Sequence, residues 1–150
     1  MALYTTEIQI DAPPGAVFAV MVDLARYEEW NPWIVRGRGE VRAGAVVDVT
    51  ARMGWRDLAV KHRVLRVEPD RELRWCDLGW FTRVAYGERG RLLEPHAGGT
   101  RYRCELSVTG IGAALVRGMY GRALAEGLEA ETQALKARVE SISSKTPSRR

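Results

Sequence analysis

Hydrophobic and polar residues alternate from Tyr4 to Asp11 (YTTEIQID), the period-two pattern of a strand with one buried face. Ala12-Pro13-Pro14-Gly15 breaks the run, and a proline suits the first turn of a helix. Val17, Phe18, Val20, Met21 and Leu24 then recur at helical spacing and predict a helix from Pro14 to Asp23. A short second helix, Tyr27 to Trp30, should stop at Asn31-Pro32, because the residue before a proline avoids the α region. Six strand-like runs follow: Val35 to Val41, Val46 to Met53, Leu58 to Glu68, Glu72 to Leu78, Thr82 to Glu94 and Thr100 to Thr109. Turn residues separate them at short intervals, so consecutive strands should pair as an antiparallel meander.

The last predicted element is a helix from Ile111 to Ile142, on the order of 45 Å long. Its far half spaces Leu128, Leu135, Val139 and Ile142 helically, with Glu126, Glu129, Glu131, Lys136, Arg138 and Glu140 between them. Its near half is small: Gly110, Gly112, Ala113, Ala114, Gly118, Gly121, Ala123 and Ala125. A twisted antiparallel sheet has one face to cover, and only this helix is long enough to cover it. The expected class is α+β: a seven-stranded curved antiparallel sheet around a long C-terminal helix, with two short helices after the first strand. The stretch Gly112 to Ala125 should leave a cavity of roughly several hundred Å³ between helix and sheet.

Composition narrows the function classes. Of 23 basic and 19 acidic residues, five bases and one acid lie after residue 135, which leaves eighteen of each before it. The +4 charge is therefore the charge of the C-terminal end, and residues 143–150 are expected to be a disordered basic tail on a single domain, 1–142. A nucleic-acid partner is not expected, since that needs cations clustered on the folded body. No run approaches the length of a membrane span, and MALYTTEIQID lacks the pattern of a secretory signal, so a cytoplasmic protein without an integral membrane segment is expected. Cys76 and Cys104 lack metal-ligand spacing and read as two reduced thiols. With two histidines, no phosphate-binding glycine loop and no nucleophile elbow, neither a metal nor another cofactor is expected.

The opening IDAPPGAVFAVMVDLARYEEWNPW, the hairpins RVLRVEPDRELRW and LLEPHAGGTRYRC, and the helix LEAETQALKARVE resemble, in this order, the START/Bet v 1-like (SRPBCC) superfamily. The part most similar is its bacterial polyketide cyclase/dehydrase and lipid-transport group. The resemblance spans about Tyr4 to Glu140 and implies a helix-grip fold. It implies no single function, since members include lipid carriers, quinone-binding proteins, aromatase/cyclases, hydroxylase components and co-chaperones. It also implies that the aromatic–proline turn Tyr27 to Trp33 closes one end of the cavity, and that Arg89 and Arg91 occupy positions that often face inward.

Five tryptophans and five tyrosines against two phenylalanines suit a pocket that offers apolar area with an occasional hydrogen bond. The candidate ligand-binding residues are Trp30, Trp33, Trp55, Trp75, Trp80, Tyr86, Tyr102, Met119 and Tyr120. Trp75 shares strand parity with Leu73, whereas Trp55 and Trp80 sit near turns where they would rim an opening. The candidate catalytic groups are His62, Glu105, Tyr102, Tyr86, Arg89 and Arg91, the polar residues at mid-strand. An inward arginine would attract a carboxylate, enolate or phenolate. His62 has no partner by motif, and parity alone leaves the direction of Glu105 open. The first expectation is a binding protein, monomer or homodimer, for a hydrophobic polyketide-, lipid- or quinone-like molecule. The alternative is a polyketide cyclase/aromatase-type enzyme in which cavity Arg, Tyr, Glu and His groups polarise a carbonyl and move protons. A co-chaperone-like module that uses the outer sheet face is a third reading.

Overall fold

A computed structural model describes residues 1–145. Strand β1 (Ala2–Ile10) leads into helix α1 (Pro14–Val22) and a 3-10 turn over Leu24–Glu29. Strands β2 (Ile34–Arg38), β3 (Val46–Met53), β4 (Arg56–Glu68) and β5 (Glu72–Leu78) follow, then a 3-10 turn over Trp80–Arg83. Strands β6 (Tyr86–His96) and β7 (Gly99–Thr109) lead into helix α2 (Ala113–Lys145). All seven strands form one antiparallel sheet in the order β1-β7-β6-β5-β4-β3-β2. This is the expected α+β helix-grip architecture.

Local departures from the sequence reading have local causes. Strand β6 starts at Tyr86 rather than Thr82, because Gly79 turns the chain at φ 144° and the Thr82 hydroxyl donates back to its carbonyl at 2.7 Å. Strand β2 ends before Gly39, whose φ of 117° takes the chain out of extended conformation. Helix α2 runs on to Lys145, so Ser143 to Lys145, expected in the tail, are helical; the expected tail residues 146–150 lie outside the described residues. No described helix is long and apolar enough to cross a membrane.

Helix α2 lies on the concave face. Leu128, Leu135 and Val139 are buried against the sheet and α1, as their spacing predicts, whereas Ile142 is exposed. Two polar residues share that buried stripe. The Thr132 hydroxyl lies 2.7 Å from the Thr6 hydroxyl of β1 and 2.8 Å from the Leu128 carbonyl. Glu131, which the sequence reading placed among the polar residues of the far half, is fully buried instead. It sits three residues after Leu128 and four before Leu135, a spacing that puts all three on one face.

The Glu131 carboxylate is met by two strand arginines. Arg89 of β6 approaches it with both terminal nitrogens, Nη1 at 3.3 Å from Oε2 and Nη2 against Oε1. Arg91 Nη1 lies 3.8 Å from Oε1 and donates to the Tyr27 hydroxyl at 2.7 Å; that hydroxyl in turn donates to the Met21 carbonyl. Both arginines also lie against indole rings, Arg89 at 5.0 Å from Trp33 and Arg91 at 4.7 Å from Trp75. Burial alone would raise the Glu131 pKa, but the guanidinium of Arg89, then that of Arg91, outweighs it and holds the carboxyl below its ordinary value. The helix is thus bound to the sheet by a buried ion pair, where removing one partner strands the other.

This packing can be tested by stability measurements. Leu128→Ala or Leu135→Ala should cost about 2–5 kcal/mol in chemical denaturation, and Met119→Ala, exposed on the same helix, no more than about 0.5 kcal/mol. Glu131→Gln should cost about 3–5 kcal/mol at pH 7, because it leaves buried cations without their carboxylate. The folded pKa of Glu131 lies below 4.5, so the ionised form is the one the fold stabilises. That contribution is complete above the unfolded pKa and lost as pH falls through the folded one. The stability gap between wild type and Glu131→Gln should therefore narrow below about pH 4.5 in a pH series of melts. A gap constant down to about pH 3 would overturn the ion-pair account.

Candidate functional site

Between α2 and the middle of the sheet lies an open cavity of about 210 Å³. Strands β3 and β4 supply Ala51, Met53, Leu58 and Val60; β7 supplies Leu106 and Val108; α2 supplies Val116 and Leu124. Trp33, Trp75 and Phe81 complete most of the apolar wall. The cavity does reach the stretch Gly112 to Ala125, but it is smaller than the sequence reading expected. Indole rings take up the missing volume: Trp33 lies so close over Gly127 that a Cβ there would overlap it, and Trp75 is buried in the floor.

Three polar side chains reach this apolar wall: His62, Asp77 and Arg89. His62 of β4 and Asp77 of β5 face each other directly in the strand register. Nδ1 of His62 lies 3.1 Å from Asp77 Oδ1, within ionic reach although out of line for a hydrogen bond. The imidazole stacks on Trp75 with ring centres 5.1 Å apart and planes 1° apart. Gly87 on β6 makes room for the carboxylate, since a Cβ there would overlap Asp77. Arg89 places its Nε 3.2 Å from the Cys104 sulfur and commits its terminal nitrogens to Glu131.

The remaining sequence candidates are spread over other places. Arg91 and Tyr102 are buried but do not line the cavity; Arg91 Nη2 and the Tyr102 hydroxyl have no hydrogen-bond partner among the described residues. Burial, and next the Cys104 sulfur, push the Tyr102 hydroxyl well above its ordinary pKa, and burial also raises that of Tyr27. Glu105 points to the outer face and pairs with Arg103 at 2.9 Å, because inward parity on β7 belongs to Tyr102, Cys104 and Leu106. Tyr86 is also on the outer face of β6, where contact with Cys76, then partial burial and Glu88, raise its pKa. Trp30 packs edge-on to Tyr27 at 5.1 Å, in a crevice between α1 and the end of α2. Trp55, Trp80 and Met119 are exposed, and Tyr120 is half-buried without lining the cavity.

Asp77, Phe81, Gly87 and Glu131 were not singled out from sequence. Asp77 had a legible signal, since it continues the inward parity of Leu73 and Trp75. Cys76 and Cys104 are free thiols on opposite faces of the sheet. Among the described residues no group of three or more His, Cys, Asp or Glu side chains is placed to hold a metal.

The chain matches the family model described as polyketide cyclase / dehydrase and lipid transport over residues 1–140. Among curated proteins none matches it. Solved structures similar to it include the Zhui aromatase/cyclase from Streptomyces sp. R1128, at TM-score 0.78 and 14% identity over 93% of each chain. Protein TTHA0849 from Thermus thermophilus superposes at TM-score 0.76 and 19% identity, over 95% of this chain and 99% of that one. Protein MLL2253 from Mesorhizobium loti gives TM-score 0.73 and 21% identity over 93% of this chain and 98% of that one. At these identities the structures establish a shared fold, and the family-model match over nearly the whole chain assigns it: the chain belongs to the polyketide cyclase/dehydrase and lipid-transport family.

Proposed function

We propose that the protein binds a hydrophobic small molecule, polyketide-, lipid- or quinone-like, in the cavity between α2 and the sheet. The observation that carries this reading is the cavity wall, apolar throughout except for His62, Asp77 and Arg89. Its volume bounds the ligand. An apolar cavity of roughly 150 Å³ takes a benzene-sized guest, so about 210 Å³ suits one or two rings, or one end of a longer molecule that leaves through the opening. Titration with two-ring aromatic and medium-chain acyl compounds should quench or shift tryptophan fluorescence, since Trp33 and Trp75 line the wall. Val116→Trp, which projects bulk into the cavity, should weaken binding at least about tenfold without lowering the melting temperature. Binding that is unchanged in this variant would place the ligand elsewhere.

The His62–Asp77 pair favours a second reading, in which the same cavity performs cyclisation or aromatisation of a bound polyketone. An imidazole can take a proton from a carbon between two carbonyls, and the carboxylate opposite lies within ionic reach to steady the imidazolium that forms. Arg89, with its nitrogens committed to Glu131 and Cys104, would add only the field of its guanidinium near the enolate oxygen. On a confirmed substrate, His62→Ala should lower turnover by about 10²–10⁴-fold while ligand affinity stays within a few-fold. Full turnover in that variant would leave the binding reading alone.

A further inference from the structure

Three chain segments gather at one end of the sheet and close on that end of the cavity: residues 52–57 between β3 and β4, residues 79–85 between β5 and β6, and residues 110–122 at the start of α2. Each sends residues inward to the cavity wall, Met53 from the first, Phe81 and Ala85 from the second, and Val116 from the third. The second and third are tied together by the Gly112 amide, which donates to the Val84 carbonyl at 2.9 Å. Each also sends large apolar side chains outward. Trp55 is 92% exposed, Trp80 85% and Ile111 93%, with Leu115, Met119 and Val84 exposed beside them. Apolar tips on three neighbouring segments are costly in water and mark a surface that meets something apolar.

The charge on the same segments says what that is. They hold five arginines (Arg52, Arg56, Arg83, Arg117, Arg122) and one acid, Asp57. The rest of residues 1–135 then has thirteen bases against seventeen acids, so a body that is neutral in sum is positive at the rim and negative elsewhere. Arg52 pairs with Asp57 and Arg122 with Glu126, whereas Arg56, Arg83 and Arg117 make no ion pair among the described residues. Arg56 lies over the Trp55 ring at 5.7 Å, indole and guanidinium side by side.

We propose that this rim docks the protein on an anionic lipid surface, with Trp55, Trp80 and Ile111 entering the headgroup–acyl boundary and the unpaired arginines meeting lipid phosphates. A second copy of the chain is disfavoured as the occupant, because a two-fold contact would bring the arginine-rich rim against itself. Nucleic acid would satisfy the arginines but leave Ile111, Leu115 and Met119 without a role. The end of the cavity lined by Met53, Phe81 and Val116 would then lie next to the membrane, which shortens the path of an apolar ligand between lipid and cavity. The proposal goes beyond the binding reading and stands whether or not the cavity is catalytic.

The test is co-sedimentation with vesicles of phosphatidylglycerol and phosphatidylcholine, beside vesicles of phosphatidylcholine alone. The wild-type chain should bind the anionic vesicles, more weakly as salt rises, with a blue shift in tryptophan emission. Trp55→Ser with Trp80→Ser should lower partitioning at least about tenfold. Arg56→Gln and Arg83→Gln should each lower it about fivefold. Both tryptophan substitutions lie outside the cavity wall, so affinity for a small apolar probe in solution should be retained. That second readout separates the two ideas: loss of probe binding in the wild type would sink the cavity reading and leave vesicle binding to be judged alone. No binding to anionic vesicles at low salt overturns the proposal, as does equal binding by the double tryptophan variant. It is also overturned if light scattering finds a dimer that Trp80→Ser dissociates, since the rim is then a self-interface.

Discussion

The buried contact between Glu131 and Arg89 is the constraint around which the rest of the molecule is arranged. Helix α2 and strand β6 are 42 residues apart along the chain at this point, and their side chains meet where both are buried. A carboxylate in such a place is tolerated only with a cation in contact, and two arginines with one carboxylate still leave a cation in excess. The neighbouring side chains fit that excess: the Tyr27 hydroxyl accepts from Arg91, and the faces of Trp33 and Trp75 lie against the two guanidinium groups. The same indoles line the cavity. The polar cluster and the apolar pocket therefore share walls, and a change in one is felt in the other.

Sharing a wall also limits the size of the pocket. Small residues on α2 open space beneath the helix, but Gly127 is one of them and its space is taken by the Trp33 ring. Aromatic side chains placed to cover arginines cannot also withdraw to enlarge a cavity, because close-packed interiors transmit such shifts to their neighbours. At Trp75 and Trp33, aromatic rings against the arginines hold the pocket's width.

Much of the fold was legible in the sequence because its signals are local. Period-two runs, glycine and proline breaks, and one long helical stripe were enough for the strand count, the β2-to-β7 meander and the helix on the sheet, whereas the pairing of β1 with β7 joins the two ends of the sheet sequence and has no local signal. The site was less legible, for three separable reasons. Parity along β5 contained Asp77, but a single acid after Trp75 carries no motif, and its partner His62 lies on another strand. Glu131 falls on the α2 stripe by spacing, yet hydrophobic patterning treats a charged residue as a surface residue and so passes over a buried ion pair. Glu105 and Tyr86 went the other way: both are mid-strand polar residues, and only strand register shows that they belong to the convex face.

Charge shows the same difference between a sum and an arrangement. Eighteen bases and eighteen acids in the first 135 residues read as a neutral body, and that sum argues against any charged surface. The fold sorts them. Hairpin turns and the helix start, far apart in the chain, gather at one end of the cavity with five arginines and a single acid, Asp57, while the other acids are distributed over the rest. A field depends on where charges lie, so a neutral chain can still present a strongly oriented face. In this molecule the oriented face coincides with the exposed tryptophans and with the segments that line one end of the cavity, which gives charge and exposed apolar area a common location.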